Sequence, residues 1–116
     1  MGRLAEMVVA ATGWNVTISD LMTVGERAFN LCRAFNAREG ITRKDDTLPP
    51  RLMEPLPDGP YKGETISRNT LDDTLDEYYK LRGWDEKTGT PTRRTLERLN
   101  LKYAADELER TGKLPA

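Results

Sequence analysis

The sequence predicts an all-α domain: about five helices in an irregular bundle, broken by one long proline-rich loop. Three observations carry that expectation. Apolar residues recur at three- and four-residue spacing through most of the chain. No stretch alternates apolar and polar residues as a half-buried strand would. Five of the seven prolines fall between Pro49 and Pro60, where no regular element can continue.

Leu4, Met7, Val8 and Ala11 lie at i, i+3, i+4 and i+7 and mark a short first helix. Gly13 ends it, and Trp14 follows as an apolar anchor. Thr17 stands three residues before Asp20, the spacing of a capping box. Ile18, Leu21, Met22, Gly25, Phe29, Cys32 and Phe35 then share one face of a second helix that reaches residue 38 and stops at Gly40. On that face Gly25 would let another backbone come close, and Cys32 is expected to be a buried thiol.

Residues 41–69 form an irregular loop, long enough to be functional, disordered or packed on something else. A third helix begins around Asn69 and Thr70, with Asp72 and Asp73 favourably placed in its first turn. Leu71, Leu75, Tyr78, Tyr79 and Arg82 trace its inner face, and Gly83 closes it before Trp84. Pro91 is expected at the first position of a short helix carrying Leu96 and Leu99. Leu101, Ala104, Ala105 and Leu108 form the last helix, which finishes before Gly112.

At 116 residues the chain is read as a single domain, residues 1–116. Eighteen basic and 19 acidic groups nearly cancel, which speaks against a dedicated nucleic-acid binder. No apolar run reaches the length of about 18 residues that a membrane helix needs, and no signal-peptide pattern opens the chain. A cytoplasmic location is therefore expected. The chain has one cysteine and no histidine, so it cannot assemble a Ser-His-Asp or Cys-His site or an ordinary zinc site.

The stretch most charged with chemistry is the polar side of the second helix and the loop after it. Glu26, Arg27, Arg33, Asn36, Arg38, Glu39, Arg43, Asp45 and Asp46 cluster there. Arginine forks and an asparagine could hold a phosphate-like anion. A solvated face with loop-to-helix ion pairs is the more economical reading. Asp45 and Asp46 beside Arg43 and Lys44 read as capping or pairing groups, and Tyr78, Tyr79 and Trp84 as core or docking aromatics.

Two segments carry a resemblance: TGWNVTISDLMTVGERAFNLCRAFNAREGITRKDDTLPPRLMEPLPDGPYKG and, after it, LDEYYKLRGWDEKTGTPTRRTLERLNL. GERAFNLCRAFNAREG, TRKDDTLPPR and YYKLRGWD are the most specific parts. Together these resemble the C-terminal helical domain of tungsten-containing aldehyde ferredoxin oxidoreductases, over residues 4 to 108. The resemblance implies an enzyme that oxidises aldehydes to carboxylic acids and passes electrons through a [4Fe-4S] cluster to ferredoxin. Its metal, tungsten, is carried by two pterin cofactors seated between a β domain and two helical domains.

The family's cluster cysteines lie in motifs that this sequence lacks, and Cys32 falls inside NLCRAFN instead, so no residue here is assigned as catalytic or metal-binding. No cofactor is expected in this chain alone, and the chain is expected to be an inactive fragment of a larger enzyme. Its partners would be the remaining domains of the parent and, through them, ferredoxin, with self-association left open. Within the parent, Arg33, Asn36, Arg38, Arg43 and Asp46 would hold the long loop against neighbouring domains near the cofactor. The alternative is a stand-alone helical interaction module, docking through its proline-rich loop or its aromatic patch.

Overall fold

The computed structural model describes residues 2–116. It contains five α-helices: α1 (Gly2–Thr12), α2 (Ile18–Arg38), α3 (Arg68–Arg82), α4 (Arg93–Arg98) and α5 (Lys102–Arg110). Among the described residues the only extended pairing is an antiparallel bridge between Trp84 and Pro91.

Local chemistry sets most boundaries. The Thr17 backbone N–H donates to Asp20 Oδ2 at 2.8 Å, and the Asp20 N–H donates back to Thr17 Oγ1 at 3.2 Å. This closes the expected capping box and starts α2 at Ile18. The third helix starts slightly earlier than expected, because Ser67 caps it by accepting from the Thr70 N–H at 3.1 Å. Gly83 ends it with a positive φ of 69°, a conformation that favours glycine. Pro91 does not open α4: Thr92 is the cap, and buried Pro91 sits before it in the bridge with Trp84.

Two single-turn 3-10 helices, Arg43–Asp45 and Pro50–Met53, punctuate the irregular crossing segment. Beyond them the loop bonds mainly to itself, as where Leu56 donates to the Glu64 carbonyl at 2.9 Å and receives Gly63 N–H at 2.8 Å.

The core lies at the C-terminal end. Ala34 and Ala37 of α2 meet Leu96 of α4, Leu99 and Leu101 of the following turn, and Ala104, Ala105 and Leu108 of α5. Small residues on both α2 and α5 let the two helices approach closely. The four leucines are each no more than 2% exposed, and burial of each contributes roughly 1.5–3 kcal/mol.

The apolar stripe of α2 is not part of that core. Ile18, Met22, Phe29 and Phe35 are all exposed, Phe29 by 55% of its surface. Nothing stands within 4 Å of a Cβ placed on Gly25. Cys32 is exposed rather than buried. On α1, likewise, Leu4 and Met7 face solvent, and Ala5 is the buried residue.

The overall shape agrees with this. The radius of gyration is 18.4 Å and the extents are 52 × 41 × 20 Å. A compact domain of this length would have a radius near about 13 Å. The chain is a flat, open body with one well-packed end.

Candidate functional site

Between the stripe of α2 and the inner face of α3 runs a mostly apolar groove of about 670 Å³. Phe29, Cys32 and Asn36 form one wall, Leu71, Leu75 and Tyr78 the other. Thr47 and Leu48 of the loop also line it, and buried Tyr79 and Trp84 make the floor. Such size and lining are typical of binding clefts.

A network of charges beneath the groove holds its walls in place. Arg33 Nη1 donates to Asp46 Oδ1 at 2.8 Å, and Nη2 donates to Asp46 Oδ2, a bidentate pair that pins the loop to α2. Arg33 Nε also donates to the Gly89 carbonyl at 2.7 Å. The phenol of Tyr79 donates to Asp46 Oδ2 and so brings α3 into the same knot. Arg43 bonds to Asp76, to the Glu86 carbonyl at 2.7 Å and to the Asp72 carbonyl at 3.1 Å. The Arg33 and Arg43 guanidinium carbons lie 6.0 and 5.4 Å from the Tyr79 ring centre.

Gly89 is required by this packing. It has a φ of 69°, and a Cβ there would stand 2.5 Å from Arg33 Nη2 and 3.0 Å from the Tyr79 ring. Beside it, buried Trp84 Nε1 donates at 2.8 Å to Asn30, whose amide donates to the Glu26 carbonyl at 2.9 Å.

Electrostatics follow from these bonds. Burial alone would push the Asp46 carboxyl up, but hydrogen bonds from Arg33 and Tyr79, with the charges of Arg33 and Arg43, hold it below the usual carboxylate range. Burial and the bond to Asp46 push the Tyr79 phenol well above its ordinary value. Asp46 is thus held as a carboxylate and Tyr79 as a phenol. The knot fixes geometry and is not poised to exchange a proton near neutral pH.

Of the five near-site candidates, the structure brings Arg33, Arg43 and Asp46 together. Asn36 lies on the groove wall, exposed. Arg38 stands apart: it pairs with Glu39 at 2.9 Å, reaches Glu107 of α5 at 3.9 Å, and stacks 4.9 Å from the Phe35 ring centre. Asp45 caps the first 3-10 turn, accepting from the Thr42 N–H at 2.8 Å. Asn30, Asp76 and Gly89 were not singled out by the sequence.

Among the described residues no group of three or more His, Cys, Asp and Glu side chains is arranged to hold a metal ion. An iron–sulfur cluster is normally held by four thiolates, and this chain has one cysteine and no histidine. Its residues do not fit that group.

A family model described as aldehyde ferredoxin oxidoreductase, domains 2 and 3, matches residues 1–101. The tungsten-containing aldehyde ferredoxin oxidoreductase of Pyrococcus furiosus is 43% identical over 98 residues, 83% of this chain and 16% of that protein. The aliphatic sulfonate oxidoreductase, WOR-like subunit, of the same organism is 35% identical over 117 residues, 96% of this chain and 19% of its own length. A chain in the active site complex BamBC of benzoyl coenzyme A reductase, solved with 1,5 dienoyl-CoA, superposes with a TM-score of 0.80 at 30% identity. That match covers 99% of this chain and 16% of the other.

Proposed function

The chain belongs to the aldehyde ferredoxin oxidoreductase family, and on that premise we propose that it is the C-terminal helical portion of a tungstopterin enzyme that oxidises aldehydes to carboxylic acids. The two electrons released would pass through a [4Fe-4S] cluster to ferredoxin, in the cytoplasm. The tungstopterin and the cluster would be held by the rest of the parent, since this chain lacks the thiolates for the cluster. Its own work would be structural: the Arg33–Asp46–Tyr79 knot and Arg43 fix the crossing loop, and the body they hold closes one side of the cofactor-bearing domains.

The observation that carries this reading is the 43% identity to the aldehyde-oxidising relative over 83% of the chain. The sulfonate and benzoyl-CoA relatives stand at 35% and 30%. The flat, open shape supports membership of a larger body.

The test is co-expression of this chain with a polypeptide comprising the remaining, cofactor-bearing domains of the parent oxidoreductase, followed by a substrate panel. Aldehyde-dependent reduction of ferredoxin by the assembled pair, and none by the chain alone, is the expected result. Turnover of a sulfonate or a CoA thioester without aldehyde turnover overturns the substrate assignment. Aldehyde oxidation by the chain alone overturns the division of labour.

A further inference from the structure

We infer that the α2–α3 groove is the seat of an apolar segment bearing a carboxylate, contributed by the cofactor-bearing part of the parent oxidoreductase. This rests on the proposed function and goes beyond it by naming the contact surface and the chemistry of what fills it.

Three observations converge. First, the groove continues the stripe that α2 leaves bare: Phe29 and Cys32 belong to both, and Ile18 and Met22 extend the stripe along the helix. At 1.5 Å per residue, the stretch from Ile18 to Asn36 runs about 27 Å. Exposed apolar surface on that scale marks an interaction site.

Second, the groove is preformed. The bidentate Arg33–Asp46 pair, the Tyr79 bond to the same carboxylate and the buried Trp84–Asn30 bond lock its floor to α2. A partner therefore binds without ordering this surface first.

Third, a cation with no acid to match it is stacked on two of the groove's lining rings. The Arg82 guanidinium carbon lies 4.7 Å from the Phe29 ring centre and 5.2 Å from that of Tyr78, spanning the groove between α2 and α3. Its neighbours Lys80 and Arg98 pair with Glu86 and Glu26. Arg82 forms no ion pair among the described residues. A guanidinium stacked on aromatic rings keeps its fork of N–H donors for a carboxylate, which a partner can supply.

The occupant comes from the parent because the matches cover only 16% and 19% of the two relatives' lengths, leaving the greater part of such an enzyme to cover this face. A helix or strand laying apolar side chains into the groove, with an Asp or Glu over Arg82, fits the chemistry.

The test measures association of this chain with the co-expressed cofactor-bearing polypeptide. Phe29→Asp and Arg82→Glu are compared with Leu81→Asp, a residue 81% exposed on α3 and outside the groove. Phe29 is exposed and Arg82 half-buried, and neither belongs to the leucine-lined core, so circular dichroism is expected to show unchanged helix content in all three variants. Each groove variant is expected to weaken association at least about tenfold, with Leu81→Asp at wild-type affinity. Wild-type affinity in both groove variants overturns the docking site while leaving the proposed function standing. No association even of the wild-type chain overturns the proposed function itself. A homodimer of the wild-type chain that Phe29→Asp dissociates makes a second copy the occupant and overturns the assignment to the parent.

Discussion

The two faces of α2 behave as if they belonged to different proteins. Its C-terminal half presents Ala34 and Ala37 to α5 and lies in a closed leucine-lined core. Its N-terminal half and apolar stripe carry larger side chains, Ile18, Met22 and Phe29, and these face solvent. The larger apolar area is thus the one left uncovered. Burying it stabilises only if something packs there, and the described residues cover it only in part, where Arg82 stacks on Phe29 and Gly2 of α1 lies beside Ile18. The contrast separates what the chain stabilises by itself from what it offers to another surface.

Substitutions can break or sharpen that contrast. The largest effect is expected in the closed end. Leu96→Ala removes a side chain with no exposed surface and is expected to cost about 2–5 kcal/mol in urea denaturation. Gly89→Ala comes next, at about 2–3 kcal/mol, because a Cβ at positive φ runs into Arg33 and Tyr79. Its loss should appear together with a changed environment for Trp84 in tryptophan fluorescence.

Asp46→Asn is expected to cost about 2 kcal/mol at neutral pH, since it leaves the Arg33 guanidinium, 10% exposed, without its carboxylate. The pH dependence has a definite sign. The folded-state carboxyl titrates below its unfolded value. Its contribution is therefore complete above about pH 4 and is lost as pH falls through the lower folded value. The stability gap between wild type and Asp46→Asn should narrow below about pH 4 and stay constant above about pH 5. The smallest effect is expected on the open face: Phe29→Ala should change the stability of the chain alone by no more than about 1 kcal/mol. Equal costs for Leu96→Ala and Phe29→Ala would erase the distinction between the closed core and the open face.

The elements were legible because they depend on local chemistry. The Thr17–Asp20 box, the glycine stops at Gly40 and Gly83, and the leucine-alanine pattern of the last two helices all act within a few residues. The all-α class, with its irregular crossing segment, follows from them. What could not be read was which apolar face the chain covers. Periodicity marks the stripe through Phe29 and Cys32 but is silent on whether its cover lies in the same chain, and the small, inconspicuous Ala34 and Ala37 were the ones buried. The candidate site was legible in its charges: Arg33, Arg43 and Asp46 stood out by composition. Their joining through Tyr79 and Gly89 depends on contacts across 33 and 56 residues of sequence, which no local pattern encodes.

Cys32 offers the most direct test, as the single thiol of the chain, exposed on the groove wall. Its alkylation rate, read by mass spectrometry of the peptide that contains it, can be compared in the free chain and in the chain assembled with the cofactor-bearing polypeptide. Rapid reaction in the free chain and strong protection in the assembly are expected. Equal rates in the two states, with assembly confirmed independently, would contradict the claim that this face exists to be covered by the rest of the enzyme.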